Sequence, residues 1–177
     1  MGFSKMKVYC TRFRLQSATL ALVLSLPAWV SDIPNPLLTP GAINPEVTQA
    51  NINQTVCVEG YTETIRPPAD FTNRLKKLQI SEYGYADRNP KHYEEDHLIA
   101  LSIGGAPDDP HNLWPETRIS KWNAAKKDQL EFVVYKMVCA QEISLSEAQH
   151  AMATNWIEAW QQYVPSHPHY RFKGRVD

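Results

Sequence analysis

Apolar positions along this chain recur in short bursts whose spacing marks helices on either side of one irregular centre. Phe71, Leu75, Leu78 and Glu82 fall on one side of a helix predicted over 70–83, capped by Asp70 or Thr72 and stopped by Gly84. Its other sides carry Arg74, Lys76 and Lys77, either a solvated surface or a phosphate contact. Trp122, Leu130, Val133, Val134 and Met137 line one face of a second helix over 119–140. A last helix opens on Ser144-Leu145-Ser146-Glu147, which has the capping-box form, and is closed by Pro165. Its stripe of Ala148, Met152, Trp156, Ala159, Trp160 and Tyr163 reads as core. Val56, Val58 and Tyr61 suggest a short strand and turn over 55–64.

Between the first two helices the period changes. The run from His97 to Ile103 is rich in β-formers and ends in Gly104-Gly105, which predicts a short strand and a turn of permissive backbone. Pro107 and Pro110 exclude regular structure, and Leu113-Trp114 forms a brief return strand before Pro115. This stretch is a hairpin with a long loop.

The ends of the chain differ from its middle. Lys5, Lys7, Arg12 and Arg14 precede the apolar run 18–26, followed by small residues near Ala28 and Ser31, the layout of a secretory signal peptide over 1–31. Even taken on to Val30, the apolar stretch from Ala18 is too short to span a bilayer, and it contains Pro27. A Pro-rich linker over 32–50 is expected to lead into a domain over 51–165, and 166–177 reads as a flexible tail. The 177 residues are 43% hydrophobic, enough for one domain with a core. Removing the leader takes four basic residues from the 18 and none of the 19 acidic ones, leaving 14 against 19, or −5. Bulk charge then does not hold the chain to nucleic acid, so any affinity must be local. Cys10 leaves with the leader, and a disulfide between Cys57 and Cys139 is the simplest account of the other two.

The ordered set Asp96-His97-Leu98-Ile99, Gly104-Gly105, Pro107, Asp109-Pro110 and Asn112-Leu113-Trp114-Pro115-Glu116, followed by a Lys-rich helix, resembles the HNH endonucleases. It is similar above all to a secreted bacterial branch of that family. The likeness covers this core tightly and 57–160 loosely. It implies an α+β fold in which a small ββα metal finger is flanked by further helices. Two positions depart from the family pattern: Ala100 stands where Pro is usual, and no His stands at the start of the following helix.

Phosphodiester hydrolysis needs a deprotonated water, positive charge on the phosphate and fixed in-line geometry. His97 suits the base, since imidazole titrates near neutrality. Asp96 suits a hard cation, and Asn123 is either the second metal ligand or a helix cap. An amide ligand favours Mg²⁺ over Zn²⁺. The resemblance implies that Asn112 ties the loop to the His-bearing strand. Lys126 and Lys127 are candidate nucleic-acid contacts or plain surface lysines, and Glu94 and Glu95 read as solvated strand ends, Glu95 with an option to support the site. Adjacent strand residues face opposite ways, so Asp96 and His97 converge only if the strand twists or bulges.

These readings point to a secreted or periplasmic, monomeric, metal-dependent endonuclease of low sequence specificity, acting on DNA before RNA and without membrane attachment after cleavage of the leader. The rival from another class is a secreted binding module that keeps the scaffold without catalysis. A hydrolase of some other envelope phosphoester ranks third.

Overall fold

The computed structural model describes residues 1–2, 31–172 and 174. The expected leader therefore lies, apart from its ends, outside the described residues. Helices α1 (Tyr61–Ile65) and α2 (Ala69–Glu82) precede strands β1 (Tyr93–His97) and β2 (Leu113–Thr117), and α3 (Ala124–Cys139) and α4 (Leu145–Tyr163) follow. Short 3₁₀ turns cover Gln49–Gln54, Pro90–His92 and Leu101–Ile103. The class is α+β, with a two-stranded antiparallel sheet.

The strands pair from Tyr93 opposite Thr117 to His97 opposite Leu113. The strand thus ends where the apolar run was expected to begin it. Leu98, Ile99, Ala100, Leu101 and Ile103 are buried, but their backbone leaves the ladder and coils into a 3₁₀ turn. A short apolar run with no alternation is silent about its backbone; burial on all sides suits a packed coil as well as a strand.

Alternation along β1 gives the sheet two working faces. On one, Tyr93 joins Ile80 and Tyr85 beneath α2. On the other, Trp114 packs with Leu130, Val133, Val134 and Met137 of α3 and with Met152 and Trp156 of α4. The hairpin is held between helices. Gln79 of α2 donates from Nε2 to the carbonyls of Pro110 (3.2 Å) and Leu113 (2.9 Å), tying α2 to the loop and β2. Gln79 and Ile80 are the buried positions of α2, whereas Phe71 and Leu75 are half-buried and Leu78 is 55% exposed, so the expected apolar side is covered only in part.

Three further expectations change. The 55–64 segment turns and enters α1 instead of forming a strand. The Pro-rich 32–45 stretch packs on the domain: Ile43 bridges Gly105, Gly41 N–H donates to the His111 carbonyl, and Asp32 accepts from the Trp156 indole. Proline removed donors without preventing side-by-side backbone contact at the remaining residues. The tail folds back as well, with Tyr170 Oη donating to Glu142 Oε1 at 2.6 Å and the Phe172 ring against Phe132.

Cys57 and Cys139 are joined, Cα to Cα 5.6 Å, tying the segment before α1 to the end of α3. This pairing is in keeping with an oxidising compartment. Ser144 caps α4 by accepting from Glu147 N–H, one of the two bonds of the expected capping box. Among the described residues no helix is long and apolar enough to cross a membrane.

Candidate active site

The loop between the strands is closed around Asn112, which is fully buried. Its side-chain oxygen accepts from Ile99 N–H at 2.9 Å, and its Nδ2 donates to the carbonyls of Ile99 and Ala106, both at 3.0 Å. Its own carbonyl accepts from Leu98 N–H at 2.7 Å. Asn112 therefore satisfies the backbone that leaves the ladder after His97. Gly105 permits this closure: a Cβ there would stand 1.7 Å from the Ile99 carbonyl oxygen and 2.8 Å from Asn112 Nδ2. Gly104, at φ +77°, supplies the left-handed turn beside it.

His97 ends β1 and is buried at 5% exposure. Its Nε2 lies 2.8 Å from the Pro107 carbonyl, which can only accept, so Nε2 carries the hydrogen and Nδ1 the lone pair. Burial lowers the imidazole pKa, against the pull of the nearby Asp96 charge, so the ring is neutral at neutral pH.

His97 lines a cavity of about 390 Å³ shared with Arg66, Lys76, Arg118, Glu94 and Glu95. Arg118 pairs with Glu94 at 2.9 Å across the sheet edge. Lys76 Nζ reaches the Tyr93 carbonyl at 3.4 Å, and burial followed by the nearby Arg118 charge lowers its pKa. Glu94 and Glu95 are not solvated strand ends. Glu94 is 5% exposed, and both Glu95 carboxyl oxygens are buried without a hydrogen-bond partner. Burial, with Asp96 adding to it against Lys76, pushes Glu95 up to about 9, so it holds its proton at neutral pH.

Asp96 lies on the opposite face, towards α3. There Lys127, fully buried, donates from Nζ to Asp96 Oδ2 at 2.8 Å, to the His97 carbonyl at 2.6 Å and to Glu131 Oε1 one turn further along α3. Glu116, on the same face of β2, is fully buried and neither of its carboxyl oxygens meets a donor. Burial and the Asp96 charge raise its pKa well above the ordinary range, so it keeps a proton and shares it with Asp96. Burial alone would raise Asp96, but the Lys127 charge and the Glu116 hydrogen bond outweigh that and hold it low. Burial alone would lower Lys127, but Asp96, Glu131 and Glu116 hold it above its usual value.

Several expected roles change with this geometry. Lys127 is not a nucleic-acid contact, because its ammonium is sealed between α3 and β1. Lys126 remains half-buried at the surface, over the Trp160 and Trp122 rings at 4.5 and 5.4 Å. Asn123 caps α3, its Oδ1 accepting from Lys126 N–H at 3.3 Å. Asp96 and His97 are neighbours that serve two faces, as an unbulged strand dictates. The carboxylate expected to hold Mg²⁺ already carries an ammonium, and the amide expected beside it is a cap. Among the described residues no group of three or more His, Cys, Asp or Glu side chains is arranged to hold a metal ion. Asp96 and Asn123 as placed do not fit a divalent ion.

Reasoning from sequence missed Arg66, Arg118, Glu116 and Glu131. Glu131 had a signal in its i,i+4 spacing from Lys127. Arg66 and Arg118 had none, since only the fold brings both to His97. Comparison of the chain with models of protein families, with curated proteins and with solved structures finds no match.

Proposed function

We propose that this chain is a secreted hydrolase of phosphodiester bonds in nucleic acid, an endonuclease of HNH type with little sequence preference and DNA as its first substrate. The observation that carries the reading is His97: a buried imidazole, its Nε2 bound to the Pro107 carbonyl, lining a cavity with Arg66, Lys76 and Arg118. A base of neutral charge beside a cluster of cations is the arrangement that attack of water on a phosphate anion requires.

In the proposed step His97 Nδ1 takes a proton from water as the water oxygen forms a bond to phosphorus. The bond from phosphorus to the leaving sugar oxygen breaks, and that oxygen takes a proton from solvent. The cations offset the charge that builds on the phosphate oxygens. They meet the backbone and not the base edges, which accounts for low sequence preference. The hairpin, its closed loop and α3 are the parts that a ββα finger would use to present the base.

The test is relaxation of supercoiled plasmid by the wild type and by His97→Ala. Nicking by the wild type alone supports the reading. Equal nicking by both proteins removes His97 as the base. The closed Asp96–Lys127 pair favours one rival, a binding module that retains the scaffold, and plasmid binding without cleavage by either protein is its signature.

A further inference from the structure

An ammonium ion offers three hydrogens, and Lys127 has three oxygen acceptors: Asp96 Oδ2, the His97 carbonyl and Glu131 Oε1. Its coordination is complete, and its side chain has no exposure to solvent. We propose that Lys127 is the permanent cation of this site, bound to the carboxylate expected to hold a divalent ion, so that phosphodiester hydrolysis here needs no added metal.

Three observations support the assignment. A divalent ion at Asp96 Oδ2 would have to displace the ammonium, and one at the other oxygen would stand beside a buried lysine charge. The second oxygen expected for such an ion, Asn123 Oδ1, is engaged by the first turn of α3. The work of a metal on the phosphate is also provided for elsewhere, since Arg66, Lys76 and Arg118 line the cavity of His97 on the other face of the sheet. Lys127 does not touch substrate in this scheme. It neutralises Asp96 and holds the carbonyl of His97, which makes it a positioning residue. The catalytic half of this inference rests on the hydrolase reading; the occupancy half does not.

Two measurements on the full mature chain, first dialysed against chelator, test it. The paramagnetic signal of free Mn²⁺ is titrated against the protein, and plasmid relaxation is followed in EDTA and in Mg²⁺. The expected results are no loss of the Mn²⁺ signal and a rate in EDTA within about threefold of that in Mg²⁺. One equivalent of Mn²⁺ bound per chain, and lost in Asp96→Asn, overturns the inference. So does a fall of about 100-fold or more in EDTA that Mg²⁺ restores; if that restored activity is absent from His97→Ala, the hydrolase reading survives. A chain inactive in both conditions removes the hydrolase reading, and the Mn²⁺ titration still decides whether Lys127 holds the place of the ion.

Discussion

His97 and Pro107 are joined across the loop, imidazole Nε2 to carbonyl oxygen at 2.8 Å, ten residues apart. The contact fixes the tautomer, and burial disfavours the charged ring. A group whose folded pKa is lowered loses its neutral form only as pH falls below its ordinary value of 6.5. The acid limb of kcat/KM for plasmid cleavage is therefore expected below pH 6.5. His97→Ala should lose on the order of 100-fold or more in rate with its fold intact. An acid limb above that pH in the wild type would contradict a desolvated neutral base.

Lys127 should be among the costliest side chains to remove. Lys127→Met leaves Asp96 buried without its counter-charge, a change worth about 3–5 kcal/mol. Lys127→Met combined with Asp96→Asn removes both charges and should recover a good part of that loss. Urea unfolding of the two single variants and the double variant measures the coupling. Additive losses would mean that the two groups do not depend on each other.

Glu95 predicts a slope of stability with pH. Its folded pKa is raised to about 9, so its contribution is whole below the ordinary carboxylate range. That contribution is lost as pH rises towards about 9, because the unfolded chain ionises and the folded one does not. Glu95→Gln abolishes that loss, and its Tm should fall less than that of the wild type between about pH 5 and about pH 9. Parallel Tm curves for the two proteins would show that Glu95 titrates as an ordinary carboxylate.

What was legible in the sequence was whatever depends on period, caps and punctuation. The α3 face of Leu130, Val133, Val134 and Met137, the Ser144 cap, the Cys57–Cys139 pair and the looped hairpin all follow from local rules or simple counting. Asn112 was legible through the resemblance, and its three side-chain hydrogen bonds do tie the loop to the backbone after β1. The interior of the site was not. A lysine next to another lysine on a helix reads as surface, and only the acids brought in from β1 and from one turn along α3 make Lys127 a core residue. The same holds for Arg118, which gains its meaning from Glu94 on the neighbouring strand.

Reduction of Cys57–Cys139 should lower stability by about 4–5 kcal/mol in the loop-entropy account, given a separation of 82 residues. The bond joins the segment before α1 to the end of α3, far along the chain from the strands. Thiol treatment is therefore expected to lower the urea midpoint without changing the pH profile of activity. A shift of that profile on reduction would mean that the bond helps to shape the His97 cavity.

The sharpest structural prediction concerns Gly105. A methyl group there would meet the Ile99 carbonyl oxygen at 1.7 Å, a backbone atom that cannot rotate away. That carbonyl also accepts from Asn112 Nδ2, so moving it breaks the closure that fixes the end of β1 and with it His97. Asn112→Ala attacks the same closure from the other side and leaves the buried Ile99 N–H and the Ile99 and Ala106 carbonyls without their partner, at about 1–3 kcal/mol for each orphaned group. Gly105→Ala is expected to cost at least as much as Asn112→Ala, by urea unfolding, because it must displace the backbone as well as lose these bonds. A Gly105→Ala protein as stable as the wild type would show that the loop can open at Ile99, and that the Asn112 closure does not hold His97 in place.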